Sequence, residues 1–150
     1  MLVYRITQAQ HANDISGAGG LYGNSRFHKK GRLILYASQH VSLAAVEYCR
    51  KARIAKPVIP YRIMTIEIPD DVKMLVLKDM DVIADKTKAL AYGMKWLNEG
   101  KYMALKVRSV MIPQEYNFVL NPAHPRYREV KLVKTEPFVF DARMWTDGNK

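Results

Sequence analysis

The order of the predicted strands and helices constrains the fold of this chain more than any other feature. Short apolar and β-branched segments predict strands, whereas only two longer segments carry apolar residues at helical spacing. The strands outnumber the helices, and the two types do not alternate regularly. This order predicts a single-domain α+β fold with a mixed, mostly antiparallel sheet, and it argues against a doubly wound fold.

One predicted helix runs from Ser42, its expected N-cap, to about Ile54, and the other covers residues 86–99 and ends at Gly100. The predicted strands are Leu2–Ile6, Leu33–Ala37, Tyr61–Ile68, Met74–Leu77, Met103–Met111, Phe118–Asn121, Arg128–Val133 and Phe138–Phe140. Residues 7–32 are rich in glycine and lack apolar periodicity, which is typical of a functional or mobile segment. The 150 residues fit one domain, 1–150, and leave no room for two.

The charge balance restricts the class of partner. The chain has 24 Lys and Arg against 14 Asp and Glu, a net charge of +10, which predicts a nucleic acid, a phosphate-bearing small molecule or an acidic protein as partner. No apolar run approaches the roughly 20 residues that span a bilayer. The single cysteine, Cys49, excludes an internal disulfide and suits a reducing compartment. We therefore expect a cytoplasmic protein with no membrane segment.

Three polar residues break the local packing pattern, and such breaks often mark function. Arg26 follows the glycine-rich stretch 16–23, and its guanidinium could bind phosphate. Glu47 lies in the apolar helix pattern, where it could pair with Arg50 or be held in a cleft to stabilise positive charge. Ser109 interrupts the inward face of its predicted strand, but no G-x-S-x-G motif surrounds it, which excludes a serine hydrolase.

The four histidines do not predict a metal site. None of them has a second histidine four residues away, and no cysteine cluster accompanies them. Two of them could serve as the acid and base of a ribonuclease, so that function stays open. The histidines are His11, His28, His40 and His124.

In their order along the chain, the segments resemble the RES-domain toxins of RES–Xre type II toxin–antitoxin systems, a family named for an Arg, a Glu and a Ser. The resemblance covers nearly the whole chain. It rests on residues 3–6, 16–28, 31–38, 42–47, 108–113, 115–117, 120–125 and 137–143. Phe27 stands where the family usually has tryptophan, His28 where it has asparagine, and Asn24-Ser25 replaces a common Gly-Gly.

The resemblance implies an ADP-ribosyltransferase-like fold and an enzyme that cleaves the nicotinamide–ribose bond of NAD. The reaction would be hydrolysis, phosphorolysis or ADP-ribosyl transfer to a protein, with NAD as substrate and no metal. The catalytic residues carried over are Arg26, Glu47 and Ser109. For NAD binding we expect Tyr36 and Phe27 to pack on its rings and Arg5 to make a second phosphate contact. Ser109 would bond the ribose or the nicotinamide amide, or orient Glu47.

The resemblance also implies a partner. An Xre-type helix-turn-helix antitoxin would block the site through an acidic contact surface, and we do not expect the chain alone to bind nucleic acid directly. Two other functions stay open at this point. One is a basic RNA-binding protein or ribonuclease-type toxin, and the other is a non-enzymatic domain whose charge serves an acidic partner.

Overall fold

A seven-stranded sheet organises the part of the chain that the structure, a computed structural model, describes: residues 1–52 and 59–144. Its strand order is β4-β5-β6-β2-β1-β3-β7, and only the β4–β5 pair is parallel. The strands are β1 Leu2–Gln8, β2 Leu35–Ser38, β3 Tyr61–Glu67, β4 Met74–Leu77, β5 Ala104–Arg108, β6 Tyr116–Leu120 and β7 Lys131–Phe138. The predicted α+β fold with a mixed, mostly antiparallel sheet is confirmed.

Within residues 1–52 and 59–144, three α-helices accompany this sheet: α1 Val41–Ala52, α2 Met80–Ala84 and α3 Lys86–Glu99. The predicted bounds of α3 are confirmed at both ends. The Asp85 carboxylate accepts from the backbone N–H of Thr87 (2.8 Å) and Lys88 (3.0 Å), so it caps the first turn. Gly100 ends the helix in the left-handed region, at φ 58°, where glycine carries no steric penalty.

The other two helices differ from the prediction. Helix α1 begins at Val41, so Ser42 lies inside its first turn and the predicted N-cap at Ser42 is wrong; the predicted end at Ile54 lies outside the described residues. Helix α2 was not predicted, because five residues are too few to show a helical period. A side-chain cap begins it: the Asp79 carboxylate accepts from the N–H of Asp81 at 2.9 Å.

The bounds of β1, β2, β3 and β6 differ from the predicted ones by one or two residues, and those of β5 and β7 differ more. Strand β5 ends at Arg108, so Ser109 follows the strand instead of lying within it. In place of the predicted strands at 128–133 and 138–140 there is one strand, β7 Lys131–Phe138, which pairs with β3 along its length. Residues 128 and 129 belong to the 3-10 helix Pro125–Glu129, and 139–140 follow the strand. Pro137 lacks a backbone donor, yet it is accommodated because β7 is an edge strand of the sheet.

The helices lie on one face of the sheet, and their packing positions the loop that carries Arg26. Helix α3 approaches this loop at Gly93, where a Cβ atom would lie 2.1 Å from the carbonyl oxygen of Phe27. Only glycine permits so close an approach of helix and loop. On the opposite face, a second apolar cluster contributes to the core, and it includes Val3, Met64, Phe118 and Leu120.

The sheet opens between β1 and β2. Strand β1 pairs with β3 along all of Leu2–Gln8, but its described pairing with β2 is limited to Tyr4 and Ser38. The two strands therefore separate on one side of that pair. Helix α1 follows β2 and packs on β1 through Ala44 and Ala45, which contact Ile6 in a third apolar cluster. This arrangement leaves a cleft between the opened strands and the helix.

Candidate active site

The cleft has a volume of about 660 Å³, and its lining has more basic than acidic residues. Its walls come from β1, β2, α1, the loop 24–27, the adjoining parts of β5 and β6, and residues of α2 and α3. Glu47 is the one carboxylate among the described lining residues. The basic lining residues are Arg5, Arg26, Arg50, Lys86 and Arg108. A concave site with this excess of cations attracts an anionic ligand such as a phosphate ester.

Glu47 is held in the cleft by two neutral donors. Its Oε1 accepts a hydrogen bond from the Ser109 hydroxyl and a second one from Asn117 Nδ2, each at 2.7 Å. The structure shows no ion pair between Glu47 and Arg50, so the helix-surface pairing considered from the sequence is not the one that forms. The carboxylate is thus fixed in place by neutral donors, and it has no ion-pair partner among the described residues.

Ser109 lies behind Glu47 and has no exposed surface. Its hydroxyl donates to Glu47 and accepts from the backbone N–H groups of Met111 and Ile112, both at 3.0 Å. A serine hydroxyl has one donor and two acceptor positions, so its hydrogen-bonding capacity is filled. Of the roles expected for Ser109, this geometry supports the orientation of Glu47 over direct contact with a substrate.

Arg26 reaches the cleft from a short closed loop. A backbone hydrogen bond from Ser25 N to His28 O (3.0 Å) closes the loop, and Arg26 Nη1 donates to the carbonyls of Ile83 (2.6 Å) and Ala84 (3.3 Å) at the end of α2. Burial lowers the pKa of Arg26, the charge of Arg50 lowers it further, and the charge of Glu47 opposes both. All three side chains line the cleft, and no described residue accepts a hydrogen bond from the Nε or Nη2 group of Arg26.

Arg5 and Tyr36 meet where the strands separate. Arg5 Nη1 donates to the Tyr36 carbonyl at 2.9 Å, and no carboxylate among the described residues forms an ion pair with Arg5. Burial lowers the pKa of Arg5. The Tyr36 hydroxyl lies 2.8 Å from His28 Nδ1, and burial raises its pKa to about 12. Tyr36 is therefore neutral near pH 7 and presents a ring and a polar hydroxyl at the cleft.

Phe27 lies deeper than its expected stacking role requires. It is part of the cleft wall, but only 4% of its surface is exposed, and it packs in the cluster that contains Trp96 and Val107. A ring buried to this extent supports the wall from behind. Little of its face is available to a ligand ring.

Two residues of the site were not predicted from the sequence. Asn117 contacts Glu47 directly, and Ser38 Oγ donates to Asn117 Oδ1 at 2.7 Å. Both belong to segments that carry the family resemblance, but neither breaks a local packing rule, since asparagine and serine are common at strand ends. Ser38 and Asn117 become neighbours because β2 pairs with β6. That pairing depends on the order of the strands in the sheet, which neither segment reveals alone.

Residues 1–52 and 59–144 contain neither a metal-binding cluster nor a membrane-spanning helix. No group of three or more His, Cys, Asp and Glu side chains there has a geometry that could hold a metal ion. No helix in the same ranges is long and apolar enough to span a bilayer.

The curated relatives resemble this chain over most of their length. A toxin of Sphingobium named "Prs ADP-ribosylating toxin" is 29% identical over 141 residues, covering 89% of this chain and 88% of the relative. "Toxin Res" of Pseudomonas putida is 29% identical over 149 residues, covering 97% of this chain and 100% of the relative. "Toxin Res" of Photorhabdus laumondii is 26% identical, covering 96% of this chain and 97% of the relative.

A solved structure and a family model agree with these relatives. A chain in the crystal structure of the M. tuberculosis MbcT–MbcA toxin–antitoxin complex superposes with a TM-score of 0.75 at 18% identity, covering 91% of this chain and 83% of that chain. At that identity the match shows the fold. The model of the RES domain matches residues 2–141, nearly the whole chain. The chain therefore belongs to the RES domain family, as the resemblance of its sequence segments predicted.

Proposed function

We propose that this protein is a toxin enzyme that consumes NAD by cleaving its nicotinamide–ribose bond. The observation that carries the proposal is a carboxylate, Glu47, that neutral donors hold in a cleft whose other charged lining residues, among those described, are cations. NAD presents both matching charges, since its diphosphate is anionic and its reacting ribose becomes cationic as the bond breaks. The name of the Sphingobium relative, an ADP-ribosylating toxin, supports the same substrate.

The chemistry needs little more than charge stabilisation. When the bond breaks, its electron pair moves to the nicotinamide nitrogen, which loses its positive charge, so nicotinamide leaves without taking up a proton. The ribose C1′ becomes oxocarbenium-like, as in glycoside cleavage. A carboxylate fixed beside it stabilises that charge in the transition state. Water, inorganic phosphate or a protein side chain then attacks C1′ and completes hydrolysis, phosphorolysis or ADP-ribosyl transfer. The proton that a water or side-chain nucleophile loses passes to the solvent.

The other residues of the site have roles that follow from their positions. Arg26 would bind the diphosphate through those guanidinium N–H groups that do not donate to α2. Arg5 would add a second contact where β1 and β2 separate. Tyr36 would pack on a ring of NAD, with Phe27 supporting the wall behind it. Glu47 would accept from the ribose hydroxyls, and Ser109 would orient Glu47.

The proposal includes a partner that restrains the toxin. The similar fold of a chain in a toxin–antitoxin complex supports an antitoxin, and the RES–Xre resemblance makes an Xre-type helix-turn-helix protein our candidate. An acidic surface on that partner would complement the net charge of +10 and the cations of the cleft. The target is cytoplasmic NAD, so we place the activity in the cytoplasm.

Expression in a bacterial host tests this function in the cell. We expect induction of the wild-type chain to lower the cellular NAD pool and arrest growth, and we expect Glu47→Gln to leave both unchanged. NAD is measured by enzymatic cycling in extracts taken before growth stops, alongside intact ribosomal and messenger RNA on a gel. Growth arrest with degraded RNA and a constant NAD pool would support the ribonuclease alternative and contradict the proposal.

A further inference from the structure

We propose that Asn117 and Ser38 are positioning residues for Glu47, and that they reserve Oε2 of Glu47 for the substrate. This inference rests on the proposed function, in which Glu47 stabilises the ribose. It concerns residues on β6 and β2 that pair across the sheet, Ser38 opposite Asn117. Their side chains form a continuous hydrogen-bonded chain from the sheet to the carboxylate.

The two oxygens of Glu47 are in different environments. Oε1 accepts from both Ser109 Oγ and Asn117 Nδ2 at 2.7 Å, and no described residue donates to Oε2. Two donors converging on one oxygen fix the plane and rotation of the carboxylate. The second oxygen has no hydrogen-bond donor among residues 1–52 and 59–144, and it belongs to a residue that lines the cleft. Oε2 is therefore the acceptor that a ribose hydroxyl can reach.

The orientation of the Asn117 amide follows from its neighbours. An ionised carboxylate only accepts hydrogen bonds, so the Nδ2 group of Asn117 must face Glu47. The Oδ1 atom then faces Ser38, whose hydroxyl donates to it at 2.7 Å. Ser38 is buried, and so the amide oxygen would lack a donor if this hydroxyl were removed. Ser38 thus holds the amide in the orientation that supports Glu47.

Burial makes this chain of hydrogen bonds rigid. Ser38 is the last residue of β2 and is 5% exposed. Ser109 directly follows β5 and is fully buried. A catalytic carboxylate must be held within a fraction of an ångström of its productive position by partners of this kind. Ser109 approaches Glu47 from the β5 end and Asn117 from β6, so the carboxylate is restrained from two strands.

A double-mutant cycle on purified protein tests the inference. We expect Asn117→Leu, which preserves volume and removes the donor, to lower kcat for nicotinamide release about ten- to a hundredfold, with a smaller change in KM. In the Glu47→Gln background the same substitution should lower the residual rate less than about twofold, because a residue that acts through Glu47 has no effect once the carboxylate is gone. Ser38→Ala should lower kcat by about three- to tenfold in the native background and not in the Glu47→Gln background.

The controls separate the possible outcomes. Asn98→Ala, on the exposed side of α3, should leave kcat unchanged, and thermal unfolding checks that each variant is folded. If Asn117→Leu fails to fold, the Ser38→Ala cycle decides alone. Losses that persist at full size in the Glu47→Gln background, or no loss in either variant, would overturn the positioning roles while the NAD activity of the wild type stands. A wild-type protein that releases no nicotinamide would overturn the proposed function and this inference with it.

Discussion

Replacing Glu47 with glutamine should lower kcat for NAD cleavage about a hundred- to a thousandfold, the usual loss when one fixed electrostatic stabiliser of a transition state is removed. The glutamine carbonyl can still accept from Ser109 and Asn117, so the side chain should keep its place. What changes is the atom in the position of Oε2, where an uncharged N–H donor replaces an anionic acceptor. The measurement is the initial rate of nicotinamide release over a range of NAD concentrations.

The KM for NAD should change far less than kcat, because Arg26 and Arg5 are proposed to bind the diphosphate in the ground state as well. Glu99→Gln is the matched control, since it removes a glutamate at the exposed end of α3 whose partner is Lys95 at 3.8 Å. We expect this variant to keep the wild-type rate. Wild-type turnover by Glu47→Gln would refute the role of the carboxylate.

Gly93→Ala should destabilise the protein and lower its activity together. The new Cβ would lie 2.1 Å from the Phe27 carbonyl oxygen, and the contact is with backbone, which cannot rotate away as a side chain could. Forced overpacking of this kind costs about 1–3 kcal/mol, which corresponds to a fall in Tm of roughly 2–12 °C in a protein of this size. The loop that must move carries Arg26, so we expect a higher KM for NAD. Thermal unfolding and steady-state kinetics measure the two effects.

Gly23→Ala provides the comparison for this substitution. A Cβ at Gly23 meets no other atom within 4 Å, and this glycine is not in the left-handed region. The variant should have a Tm and a KM close to those of the wild type. If Gly93→Ala behaved like Gly23→Ala, helix α3 would not be what positions the Arg26 loop.

The fold was predictable where a segment carries its own pattern. Helix α3 has a regular apolar face, a capping aspartate before it and a glycine after it. Its predicted bounds, 86–99, are those of the structure. Helix α2 has only five residues, so no period could reveal it. Strand β7 was predicted as two pieces because the charged and proline positions between them look unlike a strand in isolation, although pairing with β3 makes them one.

The site was predictable in part, for a related reason. Glu47 is conspicuous as a carboxylate in an apolar helix pattern, and the cleft does contain it. The relation of Ser109 to Glu47 spans 62 positions of the chain and that of Asn117 spans 70, so no local pattern encodes either contact. Phe27 looked like a stacking surface because an aromatic beside an arginine suggests one, but its burial depends on the approach of α3, which only the packed structure shows.

The most direct test of the proposed NAD cleavage is the release of free nicotinamide from NAD by the purified protein. We predict that nicotinamide appears in a one-to-one ratio with NAD lost, with the ADP-ribose portion recovered free, phosphorylated or attached to a protein according to the acceptor supplied. The measurement is chromatography of reactions that contain water alone, inorganic phosphate or a bacterial lysate. Intact NAD in all three reactions, with a folded wild-type protein, would contradict the account.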